Sequence, residues 1–317
     1  MGGSGGNDSG FGANPKTILE RIREQEKDLA EAEFAPKLAE LLDSCLARVN
    51  TRDTETVRAR LDEIRTQLED MIGESVDLLF GGSVAKHTYV DGLSDIDSLL
   101  ILKEGTVQGG SPSAVLDAVR SALQGRLEGR ADVTAGRIAV TVEYRDGPKI
   151  QLVPAVNRNE RLRVPSFRND NWAEIDPSGF EKALTKRNQE CNGKLIPTIK
   201  LAKIVNDMLP EESRLSGYHI ESLAIAAFRG YQEPKVVAKM LPAFVERIPT
   251  LLSKPIADST GQSVHVDDYL GPAESVERKQ ASHLFDRIAT RMDNATGAQS
   301  LDRWRAILGE LGSEKND

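Results

Sequence analysis

Apolar residues in the first quarter of the chain recur at every third or fourth position, which is the spacing of amphipathic helices. Residues 15–49 carry the first such pattern, and we expect Pro36 to kink or break that helix, because proline removes a backbone hydrogen bond. Residues 57–72 carry the second pattern, with Gly73 as its expected end. The preceding residues, 1–14, are rich in glycine and serine and are expected to form a flexible tail.

The apolar pattern changes from helical to strand-like spacing after residue 75. Short apolar runs and one alternating run are separated by turn residues, which is typical of a small sheet. The turn Asp146-Gly147-Pro148 joins two of these runs, so we expect a hairpin there. The strands are expected at residues 76–83, 95–102, 137–144 and 149–156, with a helix at residues 112–127.

The remainder of the chain is expected to be mainly helical. Residues 158–176 are polar, contain proline and show no clear period, so they predict irregular structure. Helical spacing resumes at Phe180, apart from a turn-rich loop at 255–272. The pattern predicts the α/β (α+β) class, with a small mixed sheet packed against N-terminal and C-terminal helices. Four segments are expected, namely a tail at 1–14, N-terminal helices at 15–74, an α/β core at 75–177 and a helical C-terminal lobe at 178–317.

The charge balance and composition narrow the class of protein. The chain has 49 acidic and 41 basic residues and a net charge of −8, so extended nucleic-acid binding is not expected, since it requires a basic surface. No apolar run approaches the ~18 residues of a membrane span, and no membrane association is expected. The two cysteines lie far apart in sequence, which argues against a disulfide scaffold and favours a cytoplasmic location.

Two acidic residues, Asp95 and Asp97, stand two positions apart on the second expected strand. Because side chains alternate along a strand, both carboxylates are expected on the same face of the sheet. Paired carboxylates repel each other unless a cation bridges them, and Mg²⁺ prefers such oxygen ligands. The preceding turn, which contains Gly82 and Ser83, allows a close approach of the backbone to a phosphate and adds a hydroxyl group. Together these residues predict a metal-dependent phosphate site.

This arrangement resembles the hallmark of the DNA-polymerase-β-like nucleotidyltransferase superfamily, in which a glycine-serine turn is followed by Asp-x-Asp on the next strand. Three further segments resemble the branch formed by bacterial relatives of cyclic GMP–AMP synthase and oligoadenylate synthase, the CD-NTases. They are IQLVPAV at 150–156, NGKLIPTIKLAKIVND at 192–207 and LSGYHIESLAIAAF at 215–228. The resemblance covers residues from about 75 to 230 and implies a polymerase-β-like core.

The resemblance implies a set of ligands and residue roles. Asp95 and Asp97 would hold two Mg²⁺ or Mn²⁺ ions, and the Gly82-Ser83 turn would bind the triphosphate of ATP or another NTP. Lys203 matches a lysine that reaches the β- and γ-phosphates, although Lys200 competes for that role and a solvated helix lysine is the alternative. Tyr218 matches a residue that stacks on a base, and Ser216 matches a serine that contacts phosphate. Because this chain has SGY where the family commonly has SY, the alignment of Ser216 is open by one residue. His219 is expected to be a packing or hydrogen-bonding residue at this helix start.

The chain departs from the family pattern at Gln151, where a third Asp or Glu is expected to ligate the metal that activates the attacking hydroxyl. Glutamine offers a carbonyl oxygen but has no charge and cannot accept a proton as a carboxylate does. Three interpretations stay open. The site works without the third carboxylate, Glu143 on the neighbouring strand replaces it, or the chain binds nucleotide with impaired turnover. The intact Asp pair favours activity.

The resemblance implies that NTP substrates are joined, by attack of a ribose hydroxyl on an α-phosphate, into a cyclic or linear oligonucleotide second messenger. In bacteria such messengers act in anti-phage signalling (CBASS). Two alternatives remain, a nucleotide-binding regulator and a tRNA- or protein-modifying nucleotidyltransferase. The sequence leaves open whether an activating partner protein is needed.

Overall fold

The computed structural model of the protein describes residues 15–50, 54–72, 77–80, 96–102, 110–145, 149–159, 161–166, 169–256 and 266–309. Several sequence-based expectations concern residues outside these ranges. They are the tail at 1–14, the stop at Gly73, the turns at 81–83 and 146–148, Asp95, and half of the loop at 255–272.

Two N-terminal helices confirm the first periodic patterns. Helix α1 spans Pro15–Val49 and helix α2 spans Thr54–Ile72. Of the expected kink or break at Pro36, the break is wrong, because Pro36 lies inside the continuous helix α1, and the kink stays a prediction. Phe34 and Leu38 on the flanking turns are buried in the core, and this packing offsets the backbone hydrogen bond that proline removes.

A seven-stranded mixed sheet forms the centre of the chain. Its main path follows the order β1-β2-β5-β4-β3, in which only the β2–β5 pair is parallel among the pairs that the described residues form. Strand β6 pairs with β5 and with β7. The strands are β1 (Asp77–Phe80), β2 (Ile96–Leu102), β3 (Ala131–Ala135), β4 (Val140–Tyr144), β5 (Lys149–Arg158), β6 (Arg161–Pro165) and β7 (Trp172–Ile175).

Three of these strands were not expected from the sequence. The expectation of irregular structure at 158–176 is wrong over β6 and β7, which pair with each other in antiparallel register. Strand β6 contains two arginines in five residues, so its own sequence gives little strand signal. Its backbone is ordered by pairing with β5 and β7, and β3 is likewise ordered by pairing with β4. Pairing with the neighbouring strands therefore determined these three strands.

The region after the sheet is helical, as expected, and one further helix follows β2. These helices are α3 (Pro112–Arg126), α4 (Pro177–Glu190), α5 (Leu195–Asp207), α6 (Gly217–Ala227), α7 (Val237–Leu252), α8 (Val276–Gly297) and α9 (Leu301–Leu308). Short 3-10 turns lie at Glu211–Ser213 and Asp268–Leu270. No helix among the described residues combines the length and apolar character needed to cross a lipid bilayer.

Two hydrophobic cores organise these elements. Buried side chains of α2, α3 and strands β2 to β5 form the first core. The second core is formed by α1 together with α4 to α9, so the first helix packs with the C-terminal helices and the second helix packs beside the sheet. The α+β class with a small mixed sheet is confirmed, and the segment boundaries drawn from the sequence stay a prediction.

The two faces of the sheet differ in burial. On one face Ile150 and Leu152 of β5 and Val142 of β4 are fully buried in the core shared with α2 and α3. On the opposite face Gln151 and Thr141 are half-buried. Because side chains alternate along each strand, the second face is the one on which polar chemistry is possible.

Pro154 lies in the middle of β5, a position where proline is normally excluded because it cannot donate to the sheet. Strand β4 pairs with residues 149–152 of β5, whereas β6 pairs with residues 156–158. Pro154 therefore falls in the interval between these two partners, where its missing N–H disrupts neither ladder. The proline marks the point at which β5 exchanges β4 for β6.

Candidate active site

The register of β2 and β5 brings Gln151 beside one of the expected metal ligands. Asp97 pairs with Gln151 across the parallel strands, and Gln151 pairs with Thr141 on its other side. Paired residues of neighbouring strands are separated by about 5 Å. Gln151 thus occupies the position beside the acidic pair that the sequence assigned to a third ligand. Asp95 and the side chain of Asp97 lie outside the description, so their role as metal ligands stays a prediction.

Glu143 was one of the groups considered as a replacement for the third carboxylate. It lies on β4, opposite Lys149 and two residues beyond Thr141, which places it on the same sheet face as Gln151. Its side chain is exposed. Glu143 is therefore a diagonal neighbour of Gln151 rather than its direct partner, and the replacement remains an open alternative.

The donor atoms assigned to this site suit a hard divalent cation. Two carboxylates and one amide carbonyl provide only oxygen ligands, which is the chemistry that Mg²⁺ and Mn²⁺ prefer. The position of Gln151 next to Asp97 fits this set, since it adds a third oxygen at the same sheet face. Among the residues with described side chains, no three His, Cys, Asp or Glu groups cluster to hold a metal ion.

Lys203 on α5 is buried and forms an ion pair with Glu221 on α6. Its Nζ donates to Glu221 Oε1 at 2.9 Å, and the two side chains are 5% and 1% exposed. Lys200, the competing candidate, is also buried and donates to the side-chain oxygen of Asn50. The interpretation of Lys203 as a solvated helix lysine is therefore wrong. Helix α5 is apolar on nearly every side, and such a helix is buried all round.

The lysine approaches the start of α6 at Gly217. A β-carbon added to Gly217 would lie 3.3 Å from Lys203 Nζ and 3.4 Å from its Cε. Glycine therefore leaves room for the ammonium group at this helix start. Gly217, the middle residue of the SGY sequence, therefore lies close to the Lys203 ammonium group.

Ser216 and Tyr218 flank this glycine. The Ser216 hydroxyl caps α6 by accepting a hydrogen bond from the His219 backbone N–H at 3.2 Å. Tyr218 is half-buried, and its ring packs against Phe180 of α4 with centroids 4.5 Å apart and planes tilted by 41°. The structure thus brings Lys203, Ser216 and Tyr218 to one helix start. Their contacts with nucleotide stay a prediction.

A buried polar cluster, which the sequence did not reveal, lies behind this helix start. Tyr269 Oη accepts a hydrogen bond from the Ser216 backbone N–H at 3.0 Å and lies 2.8 Å from His219 Nδ1. Asp267 and Arg278 are each 1% exposed or less and form an ion pair at 2.7 Å. His219 Nε2 lies 3.9 Å from Asp267 Oδ2. Ser216 and His219 stand about 50 positions before Asp267 and Tyr269 in sequence, so no local pattern indicates their contact.

Burial changes the ionisation of this cluster. Loss of hydration lowers the pKa of His219 to about 4, with Asp267 opposing the shift and Arg278 adding to it. Burial also raises the pKa of Tyr269 to about 12, against hydrogen bonding from Ser216. At neutral pH the imidazole is therefore uncharged and the phenol is protonated. The expectation that His219 is a hydrogen-bonding residue is confirmed.

The first comparison with known proteins concerns a family. Residues 34–188 match the family described as Second Messenger Oligonucleotide or Dinucleotide Synthetase domain, abbreviated SMODS. This range includes the sheet and the expected Asp pair. No curated protein sequence matches the chain.

Solved structures share the fold at low sequence identity. The CD-NTase CdnG of Bradyrhizobium diazoefficiens, in complex with GTP, superposes with a TM-score of 0.67 and 14% identity, covering 87% of this chain and 97% of that one. CdnC of E. coli MS115-1 with ATP gives a TM-score of 0.64 and 16% identity over 87% of this chain and 98% of that one. DncV cyclic AMP-GMP synthase of Vibrio cholerae gives a TM-score of 0.59 and 11% identity, covering 94% of this chain and 91% of that one. CdnC is also seen in a complex with HORMA-deltaN.

The fold and the SMODS match together define a nucleotidyltransferase with a polymerase-β-like core. Within that class, residues 34–188 match the SMODS family and the chain shares the fold of solved CD-NTases, in agreement with its sequence motifs.

The low pKa of His219 makes stability depend on pH. Below about pH 6.5 the unfolded chain protonates this histidine and the folded chain does not, so the free energy of unfolding falls as pH falls. The loss approaches about 3 kcal/mol between pH 6.5 and 4, from a shift of two to three units at about 1.4 kcal/mol each. Urea denaturation across this range measures it. His219→Asn keeps an acceptor and removes the titration, so its curve should be flatter by this amount, and parallel curves would contradict the assignment.

The Lys203–Glu221 ion pair predicts a non-additive pair of substitutions. Lys203→Met should lower the free energy of unfolding by about 3–5 kcal/mol, because it leaves the Glu221 carboxylate buried without its cation. Lys203→Met combined with Glu221→Gln should recover much of this loss. Lys200→Met is the matched control and should cost less, since Lys200 bonds a neutral amide. Chemical denaturation of the wild-type chain, the single variants Lys203→Met, Glu221→Gln and Lys200→Met, and the double variant tests this, and additive effects in the double variant would contradict it.

Proposed function

We propose that this chain joins nucleoside triphosphates into a cyclic or linear oligonucleotide second messenger, with two Mg²⁺ or Mn²⁺ ions as cofactors. A ribose hydroxyl of one nucleotide attacks the α-phosphate of another, and pyrophosphate leaves. The observation that carries this proposal is the register that sets Asp97 beside Gln151 on one sheet face of a SMODS domain. Bound metal would supply charge neutralisation and a more acidic hydroxyl.

The residues of the chain have distinct roles in this proposal. Asp95 and Asp97 would hold the metals, and Gly82 and Ser83 would bind the triphosphate. The start of α6 adds backbone N–H groups and its helix dipole, both of which favour anions. Lys203, next to Gly217, supplies an ammonium N–H donor at the same point, while Glu221 balances its charge.

Tyr218 provides a surface for one base in this proposal. Its packing on Phe180 fixes the ring in orientation and leaves it half-exposed. An aromatic face held in this way stacks on any base, so base selectivity must come from other groups.

The relatives support the substrates and suggest a setting. CdnC is seen with ATP and CdnG with GTP, which supports NTPs as substrates here. The CdnC:HORMA-deltaN complex supports an activating partner protein for this chain as well. We place the protein in the cytoplasm, in bacterial anti-phage signalling.

A second candidate is a nucleotide-binding regulator with impaired turnover, and Gln151 favours it. An amide at this position supplies no charge to a metal and cannot take a proton from the attacking hydroxyl. A tRNA-modifying activity is the weaker alternative, because the net charge of −8 opposes binding to a large polyanion.

The function is tested by incubating the chain with the four NTPs and Mg²⁺ or Mn²⁺, with and without tRNA. Phosphatase treatment and mass spectrometry then identify the products. A phosphatase-resistant oligonucleotide formed without tRNA supports the proposal. Product that appears only with tRNA would overturn it, and NTP binding without pyrophosphate release would favour the regulator.

Asp97→Asn should abolish turnover while leaving the fold intact. Loss of one carboxylate ligand removes several kcal/mol of transition-state stabilisation, which corresponds to a fall in kcat of about a hundredfold or more. Asp132→Asn on β3 is the matched control, because Asp132 is an exposed strand aspartate in the same sheet. Pyrophosphate release measures the rate and circular dichroism checks the fold. Normal turnover by Asp97→Asn would remove the metal-site proposal.

Gln151→Asp should raise turnover several-fold, because it restores the third negative charge beside Asp97. Gln151→Leu is the control that removes the oxygen donor, and its turnover should fall. Initial rates at several Mg²⁺ concentrations separate metal affinity from kcat. A lower rate for Gln151→Asp at every concentration would mean that the site is built around an amide.

A further inference from the structure

The hydroxyl group of Tyr269 connects two parts of the chain that are distant in sequence. Tyr269 belongs to the 3-10 turn Asp268–Leu270, and both of the polar contacts described for its Oη go to the start of α6. One contact is with the backbone N–H of Ser216, at 3.0 Å, and the other with His219 Nδ1, at 2.8 Å. The phenol therefore bonds the residue that caps α6 and a residue of its first turn.

The direction of the first hydrogen bond follows from the chemistry of the groups, and that of the second depends on the tautomer of His219. A backbone N–H is only a donor, so Tyr269 Oη must accept from Ser216. The phenol proton is then available to His219 Nδ1, which accepts it when the imidazole is neutral and carries its proton on Nε2. Each of the two bonds thus has one consistent donor and one acceptor.

The 3-10 turn that carries Tyr269 is itself fixed. Asp267, the preceding residue, accepts hydrogen bonds on Oδ2 from Arg278 Nη1 at 2.7 Å and from the Ile256 backbone N–H at 3.1 Å. Arg278 also donates to the carbonyl oxygens of Leu252 and Gly271, at 3.3 and 3.0 Å. The turn is therefore tied to the end of α7 and the beginning of α8, and Tyr269 is held by rigid neighbours.

Tyr269 contacts the start of α6, and in the proposed function residues at this helix start bind the nucleotide. Gly217 leaves space for Lys203, and Tyr218 exposes part of its ring. Both residues follow Ser216 directly, so a bond to the Ser216 N–H restrains the backbone from which they extend. Displacements of about 1 Å in such groups reduce binding and reactivity strongly.

We propose that Tyr269 is a positioning residue for the NTP, which through Ser216 and His219 sets Gly217 and Tyr218 relative to Lys203. The inference rests on the proposed function. It assigns a role in substrate binding to the C-terminal segment around residues 266–278, which the sequence motifs do not include.

Tyr269→Phe tests this role, because it removes one oxygen atom and keeps the buried ring. The KM for ATP or GTP should rise about tenfold while kcat stays within about twofold, a loss of roughly 1.4 kcal/mol in binding. Tyr231→Phe is the matched control. Tyr231 is a buried tyrosine of the same helical core whose hydroxyl makes no hydrogen bond within the described residues. Its KM should not change.

Two substitutions of His219 provide an independent check. His219→Asn keeps an acceptor near the Nδ1 position and should retain a KM close to that of the wild-type chain. His219→Leu removes the acceptor and should raise the KM as Tyr269→Phe does. A merely structural role would lower the melting temperature of His219→Leu without this difference in KM at a temperature well below melting.

The outcomes separate the inference from the proposed function. If the wild-type chain turns over NTPs and Tyr269→Phe keeps its KM, the positioning role is wrong and the function stands. If the wild-type chain binds ATP or GTP without turnover, the dissociation constant replaces KM, and the same tenfold rise supports the role. If the wild-type chain neither binds nor consumes ATP or GTP, the proposed function is overturned, and the positioning role with it.

Discussion

The parallel pairing of β2 with β5 is the contact on which the geometry of the candidate site depends. Parallel neighbours cannot be joined by a tight turn, so the chain must cross over between them, and residues 103–148 do so through α3, β3 and β4. The crossover helix covers one sheet face with apolar packing. The other face is left with Gln151 beside Asp97, and the same register that buries Leu152 presents the amide.

Strand register fixes the positions of residues in the sheet, whereas buried polar contacts fix the positions of the helices. Removing Lys203, Glu221 or Arg278 from water costs free energy, and each is bonded to a specific partner that offsets this cost. Apolar packing alone tolerates small rotations of a helix about its axis. Directional hydrogen bonds resist such rotations. Ser216 N–H donates to Tyr269 and Lys203 donates to Glu221, and both bonds act on α6 within its first two turns. The polar contacts thus specify the position of a helix whose stability comes from the core.

The sequence predicted the elements with a strong preference of their own and missed the features that depend on contacts with other elements. Helices α1, α2 and α5 to α8 follow their apolar spacing, and the SMODS match confirms the family that the motifs indicated. Strand β6 was missed because its arginines give no strand preference without β5 and β7. Burial of Lys203 was predictable from the apolar character of the whole of α5. The bond from Ser216 to Tyr269, across 53 positions, was not.

Gln151 and the Lys203–Glu221 pair have a common physical consequence. Three carboxylates on adjacent strand positions repel one another when no cation is bound, which destabilises the nucleotide-free chain. An amide at position 151 removes that repulsion from the neighbour of Asp97, and Glu221 neutralises the ammonium group at the start of α6. In the proposed function, both features would lower the charge of the site before a nucleotide binds. The amide at position 151 would then favour stability of the ligand-free chain over affinity for metal, a balance common where activity and stability make opposite demands on one site.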